Sequence, residues 1–155
     1  MSDASSNATF TRRQVLAWAG AAVVLGLGGR VAFADAAATK KAINEVVGNK
    51  TLKEGRVDLI LPEIAENGSM VPLEVEVDSP MTESDYVKAV HVFADGNPNP
   101  DVATFKFTPA SGRASASTRI RLAETQDIVA VAEMSDGSMY SARKEVKVTI
   151  GGCGG

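Results

Sequence analysis

The sequence predicts an all-β protein, an antiparallel β-sandwich of about seven strands with a short N-terminal helix and a flexible C-terminal arm. Three observations predict it. Several segments alternate apolar and polar residues with a period of two, the pattern of a sheet with one wet face. Clusters of Gly, Pro, Asn, Asp and Ser punctuate those segments at short intervals. The 155 residues are 45% hydrophobic and 23% charged, ordinary for a chain that buries one core.

The elements follow in chain order. "DAAATKKAINEVVGNK" predicts a helix over about residues 36–47, with Gly48 and Asn49 as its stop. Ile43, Val46 and Val47 share one face, so the helix has an apolar stripe to dock on the domain or on a partner. "RVDLIL" is a strand candidate. "MVPLEVEVD" alternates cleanly, with Val71, Leu73, Val75 and Val77 against Pro72, Glu74, Glu76 and Asp78. In "SPMTESDYV", Thr82 with Asp85 resembles a capping box and predicts a single helical turn. "KAVHVFA", "VATFKFT" and "DIVAVAEM" are further strands. "STRIRLA" sets Ile120 and Leu122 against Arg119 and Arg121, and "KEVKVTI" sets Val146, Val148 and Ile150 against Lys147 and Thr149. "ENGS", "DGNPNPD", "PASGR" and "SDGS" are the turns between them. The spacing is immunoglobulin-like, without the Cys…Trp…Cys core of antibody domains, since the single Trp lies near the N-terminus.

That N-terminus, residues 1–34, reads as an export signal. Arg12 and Arg13 precede an apolar run from Val15 to Leu27. The run is glycine-diluted and shorter than the roughly 20 apolar residues of a membrane span. Ala32-Phe33-Ala34 supplies a small-x-small cleavage pattern. The paired arginines in "TRRQVL" favour the bacterial twin-arginine route over the general secretory one, and with it a periplasmic location. The twin-arginine route carries folded cargo, which often holds a cofactor or a partner subunit. No cofactor motif is found, so a partner is the better explanation. The domain then spans residues 35–150 and the arm residues 151–155. The leader holds Asp3 against Arg12, Arg13 and Arg30, so its removal takes the net charge from −3 to −5. A mildly acidic domain without a basic run is a poor nucleic-acid binder.

Most enzyme constellations fail. His91 is the only histidine, and inside "AVHVF" it reads as a strand residue. One His and one Cys are too few for a metal site unless carboxylates complete it, so no metal and no cofactor is expected. There is no G-x-S-x-G elbow, phosphate loop or dinucleotide fingerprint. The acidic residues of "LEVEVD" read as a solvated strand face, "NPNP" as a rigid turn, and Met134 and Met139 as core or rim packing.

Cys153 is the only cysteine, and it sits in "GGCGG" at the very end of the chain. In an oxidising compartment it cannot pair internally. It is then a tolerated tail thiol, an intermolecular disulfide, or a carrier thiol that presents a substrate to enzymes. Gly151, Gly152, Gly154 and Gly155 count against a disulfide, which needs a defined Cα separation and orientation. They suit a thin, mobile arm that enters another protein's cleft. From Ile150 three residues reach about 10 Å when extended. No basic residue is closer than Lys147, so nothing in the chain activates the thiol, and activation falls to a partner enzyme.

The "GGCGG" end after "VKVTI", the twin-arginine leader, and the stretches "ENGSMVPLEVEVDSPM", "HVFADGNPNPDVATFKFTP" and "STRIRLAETQDIVAVAEMSDG" resemble the SoxY family, sulfur-carrier subunits of the bacterial Sox thiosulfate-oxidation system. The resemblance spans essentially the whole chain. It implies that Cys153 carries the sulfur intermediate. The haem c enzyme SoxXA would couple thiosulfate to the thiol, and SoxB, a dinuclear manganese hydrolase, would release sulfate. SoxCD, where present, would oxidise the remaining sulfane sulfur. A SoxZ-like β-sandwich subunit would form a heterodimer with the chain and be exported with it. The chain would then be a substrate of enzymes and not itself an enzyme. The rivals are an exported binding or structural module cross-linked through its tail, and a thiol enzyme such as a sulfurtransferase.

Overall fold

A computed structural model describes residues 36–152. The export leader with Arg12 and Arg13, and the residues Cys153, Gly154 and Gly155, lie outside the described residues. The chain begins with α1 (Ala36–Val47), which ends as the sequence predicts. Gly48 takes a positive φ of 60°, and its N–H donates to Asn44 O at 2.8 Å, closing the last turn.

Nine strands follow: β1 (Leu52–Glu54), β2 (Val57–Ile60), β3 (Ile64–Asn67), β4 (Val71–Val77), β5 (Val87–Ala94), β6 (Asp101–Lys106), β7 (Ala114–Ile120), β8 (Gln126–Met134) and β9 (Met139–Ile150). They build a sandwich. The larger sheet runs β1–β9–β8–β5–β6, with β3 also on β9, and the smaller runs β2–β4–β7. The seven expected strands are all present. The additional ones, β1 and β3, are short and carry no alternation. Both pair in parallel with the same edge of β9, β1 along Met139–Ser141 and β3 along Lys147–Ile150. Between them β2 crosses to the smaller sheet and pairs antiparallel with β4. Gly55 (φ 99°) and Arg56 (φ 59°) make the turn that sends the chain across. The sandwich is therefore antiparallel except where β9, a 12-residue strand, offers its open edge to two short segments.

The alternation of β4 is realised as read. Val71, Leu73, Val75 and Val77 are buried, while Pro72, Glu74 and Glu76 face outward. The inner face of the larger sheet meets them with Val90, Val92, Ile128, Ala130, Ala132, Met134 and Val146. The outer face of that sheet is covered at its centre. There Phe93, Val129, Val131 and Met139 pack against Val47 and the half-buried Ala42, Ile43 and Val46 of α1. The helix thus docks on its own domain. This cover explains why "IVAVA" in β8 shows no alternation, since both of its faces are buried. Among the described residues no helix is long and apolar enough to cross a membrane.

Two local expectations differ from the structure. "SPMTESDYV" holds no helical turn. Thr82 N–H donates to Asp85 O at 2.9 Å and Asp85 N–H donates to Thr82 Oγ1 at 3.1 Å, closing a turn. The spacing of a capping box also closes a loop when no helical run follows it, and buried Met81 (φ 52°) pins this one. Ile150 was expected on the apolar face with Val146 and Val148. Val146 is buried and Val148 half-buried, but Ile150 is 67% exposed, because β9 runs past the end of the core.

Candidate functional site

The end of β9 delivers the tail to one end of the sandwich, where three stretches of backbone meet. The first is Gly68, which opens a short 3-10 turn (Gly68–Met70) before β4; Asn67 caps that turn by accepting the Ser69 N–H at 2.8 Å. The second is the loop from Arg121 to Thr125 between β7 and β8. The third is Gly151–Gly152. Leu122 N–H donates to Gly68 O at 2.8 Å, and Gly152 N–H donates to Leu122 O at 2.9 Å. Leu122 is itself fully buried, so both of its backbone groups are satisfied by segments far away in sequence.

The meeting leaves no room for side chains. A Cβ at Gly68 would lie 2.3 Å from Leu122 O, one at Gly151 2.1 Å from Ala123 O, and one at Gly152 2.8 Å from Gly68 O. None of the three has a positive φ, so these glycines answer a need for space and not for an unusual backbone angle. This changes the expectation for the arm. Gly151 and Gly152 were read as its flexible root, beyond a boundary at residue 150. In the structure Gly152 is buried and hydrogen-bonded, and the chain is still part of the body there.

Beneath the loop lies a buried polar pair. Asn97, 0% exposed, donates through Nδ2 to Arg121 O at 2.8 Å and accepts from Ala123 N–H at 3.0 Å. Its Oδ1 also accepts from Gln126 Nε2 at 2.9 Å. Gln126 in turn donates to Glu124 O at 3.0 Å and accepts from Gly96 N–H at 2.7 Å. Thr125 Oγ1 accepts the Val148 N–H at 2.9 Å and ties the same loop to β9. Two exposed apolar side chains, Met70 and Ile150, lie within two residues of the glycine contacts.

The other candidates are dispersed. His91 is a half-buried β5 residue whose Nδ1 lies 3.1 Å from Thr104 Oγ1 on β6. Met134 and Met139 are fully buried core residues. Glu76 pairs with Arg113 on the surface, and Glu74 lies on the same outward face. Among the described residues no three His, Cys, Asp or Glu side chains are grouped to hold a metal ion. Two carboxyls are perturbed, both away from the tail. At Glu133 burial raises the pKa, but the ammonium groups of Lys88 and Lys50 outweigh it and hold the carboxyl below its ordinary value. At Asp136 hydrogen bonds from Ser138 lower it. The residues missed from sequence are Gly68, Asn97 and Gln126. Their signals were present as turn residues in "ENGS" and "DGNPNPD" and as a polar opening to an apolar strand, but nothing local joins them.

The family model described as "Sulfur oxidation protein SoxY" matches residues 43–153. No match was found among curated proteins. Among solved structures, the sulfur carrier protein SoxY from Chlorobium limicola f thiosulfatophilum is 33% identical, with a TM-score of 0.63, over 75% of this chain and 100% of that one. A superoxide reductase (neelaredoxin) from Ignicoccus hospitalis is 19% identical, with a TM-score of 0.54, over 61% of this chain and 80% of that one. A superoxide reductase from Nanoarchaeum equitans is 15% identical, with a TM-score of 0.52, over 62% of this chain and 100% of that one. The last two share the fold alone. With a family match spanning most of its length and ending on the tail cysteine, the chain belongs to the SoxY family of sulfur oxidation proteins.

Proposed function

We propose that the chain is a periplasmic sulfur carrier of the Sox system, exported through Arg12 and Arg13, that holds thiosulfate-derived sulfur on Cys153. The observation that carries this reading is the family match, which extends through residue 153. The structure supports it by bringing the preceding glycines to one end of the sandwich, held by backbone contacts alone.

The chemistry balances as follows. The Cys153 thiolate and thiosulfate lose two electrons to a haem c enzyme of the SoxXA kind, and a new S–S bond leaves a cysteine S-thiosulfonate. A SoxB-like hydrolase adds water to the terminal sulfone, releasing sulfate and two protons and leaving a persulfide. SoxCD, where present, takes six electrons from the sulfane sulfur while three waters supply its oxygens, and a second hydrolysis releases sulfate and restores the thiol. The chain supplies the acceptor sulfur and its presentation, and the enzymes accept the electrons and supply metal and positive charge. A SoxZ-like subunit is its heterodimer partner.

Intact-mass analysis of protein from thiosulfate-grown cells tests this. Thiosulfonate and persulfide adducts on Cys153, absent from Cys153→Ser, are expected. Disulfide-linked dimers without any sulfur adduct would overturn the carrier reading in favour of a cross-linked module. Sulfur-transfer turnover by the isolated chain would show a thiol enzyme instead.

A further inference from the structure

We infer that Gly68, Leu122 and Gly152 form a backbone clamp on the root of the carrier tail, and that buried Asn97 is the positioning residue that sets it. Peptide units are planar and trans, so the C=O of one residue and the N–H of the next point in opposite directions within one plane. Asn97 Nδ2 holds Arg121 O, which fixes the plane whose opposite side is Leu122 N–H. Asn97 Oδ1 holds Ala123 N–H, which fixes the plane whose opposite side is Leu122 O. One side chain thus grips both peptide units of Leu122 from beneath. It aims the Leu122 N–H at Gly68 O and the Leu122 carbonyl at Gly152 N–H. Gln126 Nε2 shares Asn97 Oδ1 and holds the amide in that orientation.

The purpose of the clamp rests on the carrier reading. If the tail were free from Ile150, three residues would give the thiol about 10 Å of reach. With the chain held through Gly152, the thiol sits on the very next residue, a reach of about 3.5 Å plus the side chain. A partner enzyme must then come down to the body of the carrier itself. Gly151 and Gly152 ahead of Cys153 thus allow three backbones to meet.

Two measurements on the full exported chain test the clamp without any sulfur compound. Amide exchange of Gly152 and Leu122 should be slow in the wild type. In Gly152→Ala both should speed at least about tenfold while the β5 and β8 amides keep their rates. A nitroxide attached to Cys153 should be motionally restricted. It should become mobile in Gly152→Ala and, because the fixed point retreats, on inserting one glycine between Gly152 and Cys153, which leaves the amide exchange slow. In Asn97→Ala, which also lowers the stability of the whole domain, the Gly152 and Leu122 amides should speed by more than the β5 and β8 amides and the nitroxide should become mobile; a nitroxide that stays restricted there would overturn the role of Asn97. Unprotected Gly152 and Leu122 amides in the wild type, or a nitroxide equally mobile in every variant, would overturn the clamp. Either result would leave the carrier reading intact, since that reading stands or falls on the adducts at Cys153.

Discussion

Replacing Asn97 by alanine should destabilise the protein more than any other single polar substitution in its loop. The side chain is completely buried and makes hydrogen bonds of 2.8, 3.0 and 2.9 Å to Arg121 O, Ala123 N and Gln126 Nε2. Alanine leaves two part-buried backbone groups without this partner, at about 1–2 kcal/mol each. Gln126 loses less, because its Nε2 keeps Glu124 O. The sum is about 2–4 kcal/mol, a large part of the 5–15 kcal/mol that a domain of this size commands. In urea, with a slope of about 1–2 kcal/mol per molar, the midpoint should fall by about 1 M or more. Asn99, exposed in the same loop, is the control, and Asn99→Ala should move the midpoint by less than about 0.5 M. Equal midpoints for the two variants would refute the argument, since water or a relaxed loop would then be satisfying the groups that Asn97 is held to satisfy.

Val47→Ala should loosen α1 from the larger sheet by about 1–2 kcal/mol, since two methyl groups leave the cluster with Phe93, Val129 and Met139. Thermal unfolding of the variant measures it, and an unchanged midpoint would mean that the helix contributes nothing to the fold. Glu133 predicts an acid limb. Its folded pKa is depressed below the ordinary 4.5 by Lys88 and Lys50, so its contribution is present above the unfolded value and is lost as pH falls through the folded one. Urea midpoints between pH 7 and pH 3 should therefore decline less steeply in Glu133→Gln than in wild type. The difference should shrink in high salt, because both ion pairs are largely solvent-exposed.

Much of this protein was legible from local pattern. The period-two alternation of β4, and of β9 at Val146 and Val148, identified which residues face the core, because a strand puts successive side chains on opposite sides whatever it pairs with. The helix was legible with its stop and its buried stripe, because both depend on neighbours within a few residues. β1 and β3 were not, because three- and four-residue strands have too few positions to show a period and owe their pairing to the free edge of β9. The turn at Thr82 was misread as helical because one hydrogen-bonding motif serves both structures.

The sequence by itself determined that the chain is a β-sandwich with a lone thiol at its end, since alternation, turn residues and the position of Cys153 are properties of the chain alone. Only the tertiary structure decided what the glycines ahead of that thiol do. Residues 68, 97, 122, 126 and 152 meet through backbone groups and two buried amides, across gaps that no local pattern spans. A glycine in a sequence is equally consistent with freedom and with crowding. Here the nearby Leu122, Ala123 and Gly68 backbones decide for crowding at Gly151 and Gly152, because there is no space there for even a methyl group.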